Sequence, residues 1–139
     1  MDNMDDMDNK KKILIIDDEK MNIIALAYFL KHKYEIIIAS DGKTGIEAAE
    51  KNQPDVILLD IVMPEMSGFE VLTKLKESEI TKKIPVIFIS ATEEEGDEEK
   101  GISLGAVDFI AKPFRKTMVE LRIESQLKIS EYECKFGNL

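Results

Sequence analysis

Carboxylates stand directly after two of the apolar runs in this chain. Ile13-Leu14-Ile15-Ile16 is followed by Asp17-Asp18-Glu19, and Val56-Ile57-Leu58-Leu59 is followed by Asp60. Two carboxylates about 4 Å apart repel by roughly 4 kcal/mol at an effective dielectric near 20, so such a cluster calls for a cation. Oxygen ligands without His or Cys suit a hard ion, Mg²⁺ before Ca²⁺. The competing assignment is structural, with Asp17 and Asp18 capping a following helix. Two further run ends break the tie. Ser90 follows Val86-Ile87-Phe88-Ile89 and offers a hydroxyl, while Lys112-Pro113 follows Val107-Asp108-Phe109-Ile110-Ala111 and offers a fixed positive charge. Taken singly, Lys112 suits a surface lysine and Ser90 a turn. Taken jointly with the acidic residues, they make a site for a metal and a phosphoryl group. The cation and Lys112 neutralise phosphoryl oxygens and Ser90 hydrogen-bonds one of them, which leaves Asp60 as the nucleophile.

Such a site needs the run ends brought to one place, and the pattern of elements predicts how. The segments 12–16, 35–39, 56–59, 86–89 and 107–111 are short Ile/Val/Leu-rich runs, as strands buried on both faces require. Between them lie segments of helical period. Ile23, Leu26, Ala27 and Leu30 share one face. Ser67 followed three residues later by Glu70 is a capping box that opens a helix with Phe69, Leu72 and Leu75 as its apolar stripe. Thr92 and Glu95 repeat that pattern before a helix over 93–104. Gly96, Gly101 and six acidic side chains leave this helix few anchors, so it is expected to be the loosest. A last helix is expected from about Lys116 to Ser130, with Val119, Ile123 and Leu127 spaced four apart. Strand and helix in alternation imply parallel pairing through right-handed crossovers. The expected class is α/β, a doubly wound five-stranded parallel sheet with helices on both faces. In such sheets ligands bind beyond the carboxyl ends of the strands, where the acidic residues, Ser90 and Lys112 stand, provided the first and third strands are neighbours.

Composition sets the outer limits. With 139 residues and 44% apolar content, the chain accommodates one domain with one core. Its 19 basic and 28 acidic residues give a net charge of −9, which repels a phosphate backbone and argues against direct nucleic-acid binding. No apolar run approaches the roughly 20 residues of a membrane span, and the acidic start lacks the regions of a signal peptide, so a cytoplasmic protein without membrane attachment is expected. Residues 1–10 read as a disordered acidic tail, 11–130 as the folded domain, and 131–139 as a C-terminal extension or the start of a linker. The single cysteine, Cys134, permits no internal disulfide and reads as a partly buried thiol. His32, the single histidine, reads as a surface residue.

Over about residues 11–130 the chain resembles the receiver domain of bacterial two-component response regulators. The resemblance is carried by ILIIDDE, DVILLDIVMPEMSGFEVL, VIFISA and GAVDFIAKPF. It implies a flavodoxin-like fold with strand order 2-1-3-4-5, in which Asp60 accepts a phosphoryl group from a kinase phosphohistidine. It further implies that Asp17, Asp18, Asp60 and the backbone carbonyl of Val62 hold Mg²⁺, and that Ser90 and Lys112 contact the phosphoryl oxygens. Phe109 would be the aromatic whose rotamer follows Ser90, Lys112-Pro113 would be a cis peptide, and Gly68 would give the loop after Asp60 room to turn. Val62 and Thr92, each two residues beyond a site residue, would flank the phosphoryl group and influence its lifetime. Ser at 90 and Phe at 109 stand where Thr and Tyr are commoner. The implied partners are a sensor histidine kinase or phosphotransfer protein, and an effector or fused output domain, with a phosphorylation-dependent homodimer as a further option. The protein would be a regulatory phosphoprotein that catalyses only its own phosphorylation and slow dephosphorylation.

Three rivals fit less well. A haloacid-dehalogenase-like phosphatase wants Asp two residues after its nucleophile, where this chain has Val62. An FMN-binding flavodoxin wants a Ser/Thr/Gly-rich phosphate loop after the first strand, where this chain has carboxylates. A docking module without phosphorylation would have no need of the acidic pair, Asp60, Ser90 and Lys112 together.

Overall fold

The computed structural model describes residues 10–91 and 96–136. Its elements alternate throughout: β1 Lys12–Ile16, α1 Lys20–Leu30, β2 Glu35–Ala39, α2 Gly42–Asn52, β3 Val56–Asp60, α3 Gly68–Glu77, β4 Val86–Ser90, α4 Asp97–Ser103, β5 Asp108–Ala111 and α5 Lys116–Phe136. The five strands form one parallel sheet in the order β2-β1-β3-β4-β5. This is the doubly wound α/β fold expected from the sequence.

Strand side chains alternate between two cores. On one face Leu14, Ile16, Ile57, Leu59, Val86 and Phe88 pack with Ala49 of α2 and with Val71, Leu72 and Leu75 of α3. On the other, Ile13, Ile15, Val56, Leu58, Ile87, Ile89 and Ile110 pack with Ile23, Leu26 and Leu30 of α1 and with Val119 and Ile123 of α5. The central strands therefore need apolar residues at every position, which explains their unbroken Ile/Leu/Val runs. Edge strand β2 is covered less, and Ile38 there is half exposed. The capping box of α3 forms as read, with Glu70 N donating to Ser67 Oγ and Ser67 N to a Glu70 carboxylate oxygen.

The structure departs from expectation in three places. Helix α4 starts at Asp97, with Gly96 at its N-cap; the predicted Thr92–Glu95 capping pair lies outside the described residues, as does the leading tail over 1–9. Gly101 is the one buried residue of this seven-residue helix, in keeping with a loosely anchored element. Helix α5 runs to Phe136, six residues beyond the expected Ser130. Cys134 rides on that extension and is exposed, not partly buried, because the core-facing positions of α5 end before it. Among the described residues, no helix is long and apolar enough to cross a membrane.

Candidate phosphoacceptor site

The sheet register brings the critical run ends together. Ile16 of β1 pairs with Leu59 of β3, Asp60 with Ile89 of β4, and Ser90 with Ala111 of β5. Asp17, Asp60, Ser90 and Lys112 therefore emerge along one edge of the sheet, each held by a strand buried in the core. Carboxylate oxygens of Asp17, Asp18 and Asp60 lie within 4.8 Å of one another. Asp17 and Asp60 are buried, and Asp18 is exposed at the mouth of the cluster. Lys112 Nζ stands 3.5 Å from Asp17 Oδ2 and 3.5 Å from Asp60 Oδ1. Its backbone N–H donates to the Ser90 carbonyl at 2.8 Å, which ties the loop after β5 to the end of β4.

Asp17 has a second duty. Its Oδ1 accepts the Glu19 N–H at 2.9 Å, organising the turn into α1, whose N-cap Glu19 makes no side-chain cap bond. Neither Asp17 nor Asp18 is the N-cap of α1, so the capping role weighed against metal binding is not seen.

Crowding has an electrostatic consequence. Burial, and then the Asp17 charge, push the Asp60 carboxyl up to about 7, against the pull of Lys112 in the other direction. A single lysine does not offset three carboxylates. The donor set is all oxygen, acidic and open on the Asp18 side, which suits a hard divalent cation.

The remaining predicted residues surround this cluster. Ser90 is fully buried. Phe109 is half-buried against the core, with its ring 6.4 Å from that of Phe88. Val62 is 66% exposed beyond Asp60. The Lys112–Pro113 peptide is cis. Thr92 lies outside the described residues. Gly68 gives the loop after Asp60 its room, as expected: its N–H donates to the Ile61 carbonyl at 2.7 Å, and a Cβ there would overlap the Asp60 carbonyl oxygen and approach Ile61 Cα to 2.8 Å. Glycine is required there by the close approach of the backbone. His32 is exposed, 3.9 Å from Glu120.

One feature escaped the sequence. Phe109, Phe88 and Phe69 form an aromatic row, with Phe88 and Phe69 centroids 5.5 Å apart and Lys100 Nζ 4.4 Å from the Phe69 centroid. The sequence places Phe88 on a strand and Phe69 on a helix stripe, and nothing in either period marks them as partners.

The model of the response regulator receiver domain family matches residues 13–124. The chain belongs to that family. Among curated relatives of this receiver domain, the alkaline phosphatase synthesis transcriptional regulatory protein PhoP of Bacillus subtilis (strain 168) is 38% identical over 122 residues, covering 87% of this chain and 50% of PhoP. Response regulator PleD of Caulobacter vibrioides (strain NA1000 / CB15N) is 41% identical over 115 residues, covering 82% of this chain and 25% of PleD. The chain thus spans half or less of the length of these relatives. The chemotaxis protein CheY4 of Vibrio cholerae superposes on this receiver domain with a TM-score of 0.80 at 26% identity, covering 85% of this chain and 99% of CheY4. The receiver domain of sensor histidine kinase PA1611 of Pseudomonas aeruginosa PAO1 gives 0.79 at 24% identity, covering 86% of this chain and 98% of its own, and in that structure a magnesium ion is coordinated in the active-site cleft. The family is regulatory, and its receiver domains take phosphoryl groups from histidine kinases.

Proposed function

We propose that this receiver domain is a phosphorylation switch in which Asp60 is the phosphoacceptor and a histidine kinase or phosphotransfer protein is the donor. One observation carries the reading: three carboxylates converge within 4.8 Å, with one lysine ammonium 3.5 Å from two of them. An Asp60 carboxylate oxygen attacks phosphorus in line, the bond from phosphorus to the donor's imidazole nitrogen breaks, and that nitrogen keeps the electron pair. The product is an acyl phosphate on Asp60. Asp17, Asp18, Asp60 and the Val62 carbonyl would hold Mg²⁺, which would supply counter-charge to the phosphoryl oxygens. Lys112 moves its charge from the bare carboxylates to those oxygens, and Ser90 donates a hydrogen bond to one of them.

Phosphorylation replaces one carboxylate with a group of about two negative charges. Ser90 moves toward it, and Phe109 turns into the space that Ser90 leaves. Because Phe109 adjoins Phe88, and Phe88 adjoins Gly101 of α4, the turn reshapes the α4–β5–α5 face as a shift between two existing states.

Incubation of the chain with Mg²⁺ and acetyl phosphate is expected to add one phosphoryl group, seen as a single increment in the intact mass. Asp60→Asn, or addition of EDTA, is expected to abolish it. Equal labelling of wild type and Asp60→Asn would remove Asp60 from the role.

A further inference from the structure

At the end of the sheet where the strands begin, opposite the end that carries Asp60, the molecule has a second concavity. A cleft of about 1280 Å³ opens there between the last turns of α5, the segment joining α3 to β4, and the starts of β4 and β5. Its apolar lining is Pro85, Val107, Ile129 and Phe136, and the last three are exposed by 41%, 49% and 47%. Large apolar side chains gathered in one open concavity mark a binding surface.

Three lysines, Lys76, Lys83 and Lys135, line the same cleft against one acid, Glu133. In a chain with 28 acidic and 19 basic side chains a lysine readily meets a carboxylate, yet none of these three forms an ion pair among the described residues. Lys76 is held in place. Its Nζ donates to the Lys82 carbonyl at 3.0 Å, and its stem lies against Gly105, where a Cβ would stand 3.1 Å from Lys76 Cε. Burial pulls its ammonium below the ordinary lysine value. A half-buried ammonium bonded to a carbonyl and to no carboxylate gains more from an arriving anion than a lysine in open water does. Apolar walls with a few convergent charges are the usual make-up of a small-molecule site.

We infer that this cleft binds a free amphipathic carboxylate of the fatty-acid class, with its head among Lys76, Lys83 and Lys135 and its aliphatic chain against Ile129, Phe136, Pro85 and Val107. Charge complementarity selects an anion. The apolar lining selects one with an aliphatic body over a bare inorganic ion. A dispersed molecule is favoured over a lipid surface, because the net charge of −9 repels an anionic bilayer. Ile129, Phe136 and Lys135 lie beyond the family match, which ends at residue 124, so this wall of the cleft belongs to this chain more than to the family. The site does not depend on Asp60 being the phosphoacceptor.

NMR titration of the chain with sodium decanoate, kept below its micelle concentration, tests it. Saturable amide shifts are expected at Lys83, Val107 and residues 129–136, with a dissociation constant of about 1 mM or tighter. Lys83→Glu/Lys135→Glu is expected to raise that constant at least about tenfold, and Ile129→Ser/Phe136→Ser to do the same. Decanol, which has the chain without the charge, is expected to bind at least about tenfold more weakly than decanoate. Circular dichroism of each variant checks that the fold is kept. Absence of saturable shifts in the wild type overturns the proposal, as does binding indifferent to both double substitutions or decanol bound as tightly as decanoate. Two other occupants would overturn it too. The same amides shifting when the protein alone is concentrated would mean that a second copy fills the cleft, and pelleting with phosphatidylglycerol vesicles without a decanoate response would make a membrane the partner.

Discussion

Val62 stands two residues beyond Asp60 with 66% of its surface open and no polar atom in its side chain. If the phosphoryl group on Asp60 is lost to an in-line water, that water must approach past the side chains flanking the group. Placed there, Val62 could not orient or activate it and its branched side chain would shield the acyl phosphate, whereas an amide at the same position could hold the water by a hydrogen bond. Slow self-dephosphorylation is therefore expected, and Val62→Asn should hasten it by up to about tenfold, roughly 1.4 kcal/mol of barrier. First-order decay of the phosphorylated protein after donor removal, in excess Mg²⁺, is the measurement. Decay of Val62→Asn at the wild-type rate or slower would show that access at this residue does not set the lifetime. Residues such as Asp17, Asp60, Ser90 and Lys112 were legible in the sequence because each ends an apolar run and so must lie at a strand end. The 3.5 Å contacts of Lys112 and the rise of the Asp60 carboxyl were not, because both depend on which strands are neighbours and how deep their ends lie.

At the scale of elements, the path from site to surface runs through aromatic packing. Gly101 is the contact between α4 and the core, and a Cβ there would stand 2.8 Å from Phe88 Cδ2, so α4 rests almost directly on that ring. Phe88 also adjoins Phe109, the residue that would turn when Ser90 moves. A change at Phe109 must reach α4 before it reaches helices on other strands. With beryllofluoride and Mg²⁺ as a mimic of the phosphoryl group, NMR amide shifts are expected to be larger around Ser90, α4 and Phe109 than along α2. Shifts confined to the loops touching Asp60 would mean that nothing is transmitted. Strands were read from sequence to within a residue or so, because burial on both faces leaves a continuous apolar signature. The reach of α5 was not. Its core-facing period ends at Leu127, after which the helix continues on the propensity of residues such as Glu131, Lys128 and Lys135 without core burial to mark it.

For the molecule as a whole, the acidic cluster is a cost to folding that a bound cation would relieve. Asp60 is an acid whose folded pKa, about 7, lies above its ordinary value of 3.8, through burial first and the Asp17 charge second. Between those two values the folded state keeps a proton that the unfolded chain has lost, so the unfolded state binds fewer protons and stability falls as pH rises. The stabilising excess is complete below the unfolded value and gone above about 7. The slope reaches at most about 1.4 kcal/mol per pH unit. Neighbouring charges act on the Asp60 carboxyl, so the slope is spread over the interval. Asp60→Asn has no charge to lose there. In EDTA it should therefore be more stable than wild type at pH 8, with the gap closing toward pH 4.5. Excess Mg²⁺ should narrow the gap at pH 8 from the other side, stabilising wild type by mass action far more than the variant, which has lost one of three carboxylates. Urea denaturation of both proteins at the two pH values, with and without Mg²⁺, decides it. Parallel pH profiles for wild type and Asp60→Asn in EDTA would mean that the cluster stores no such repulsion. An equal Mg²⁺ effect on both would mean that the ion acts elsewhere.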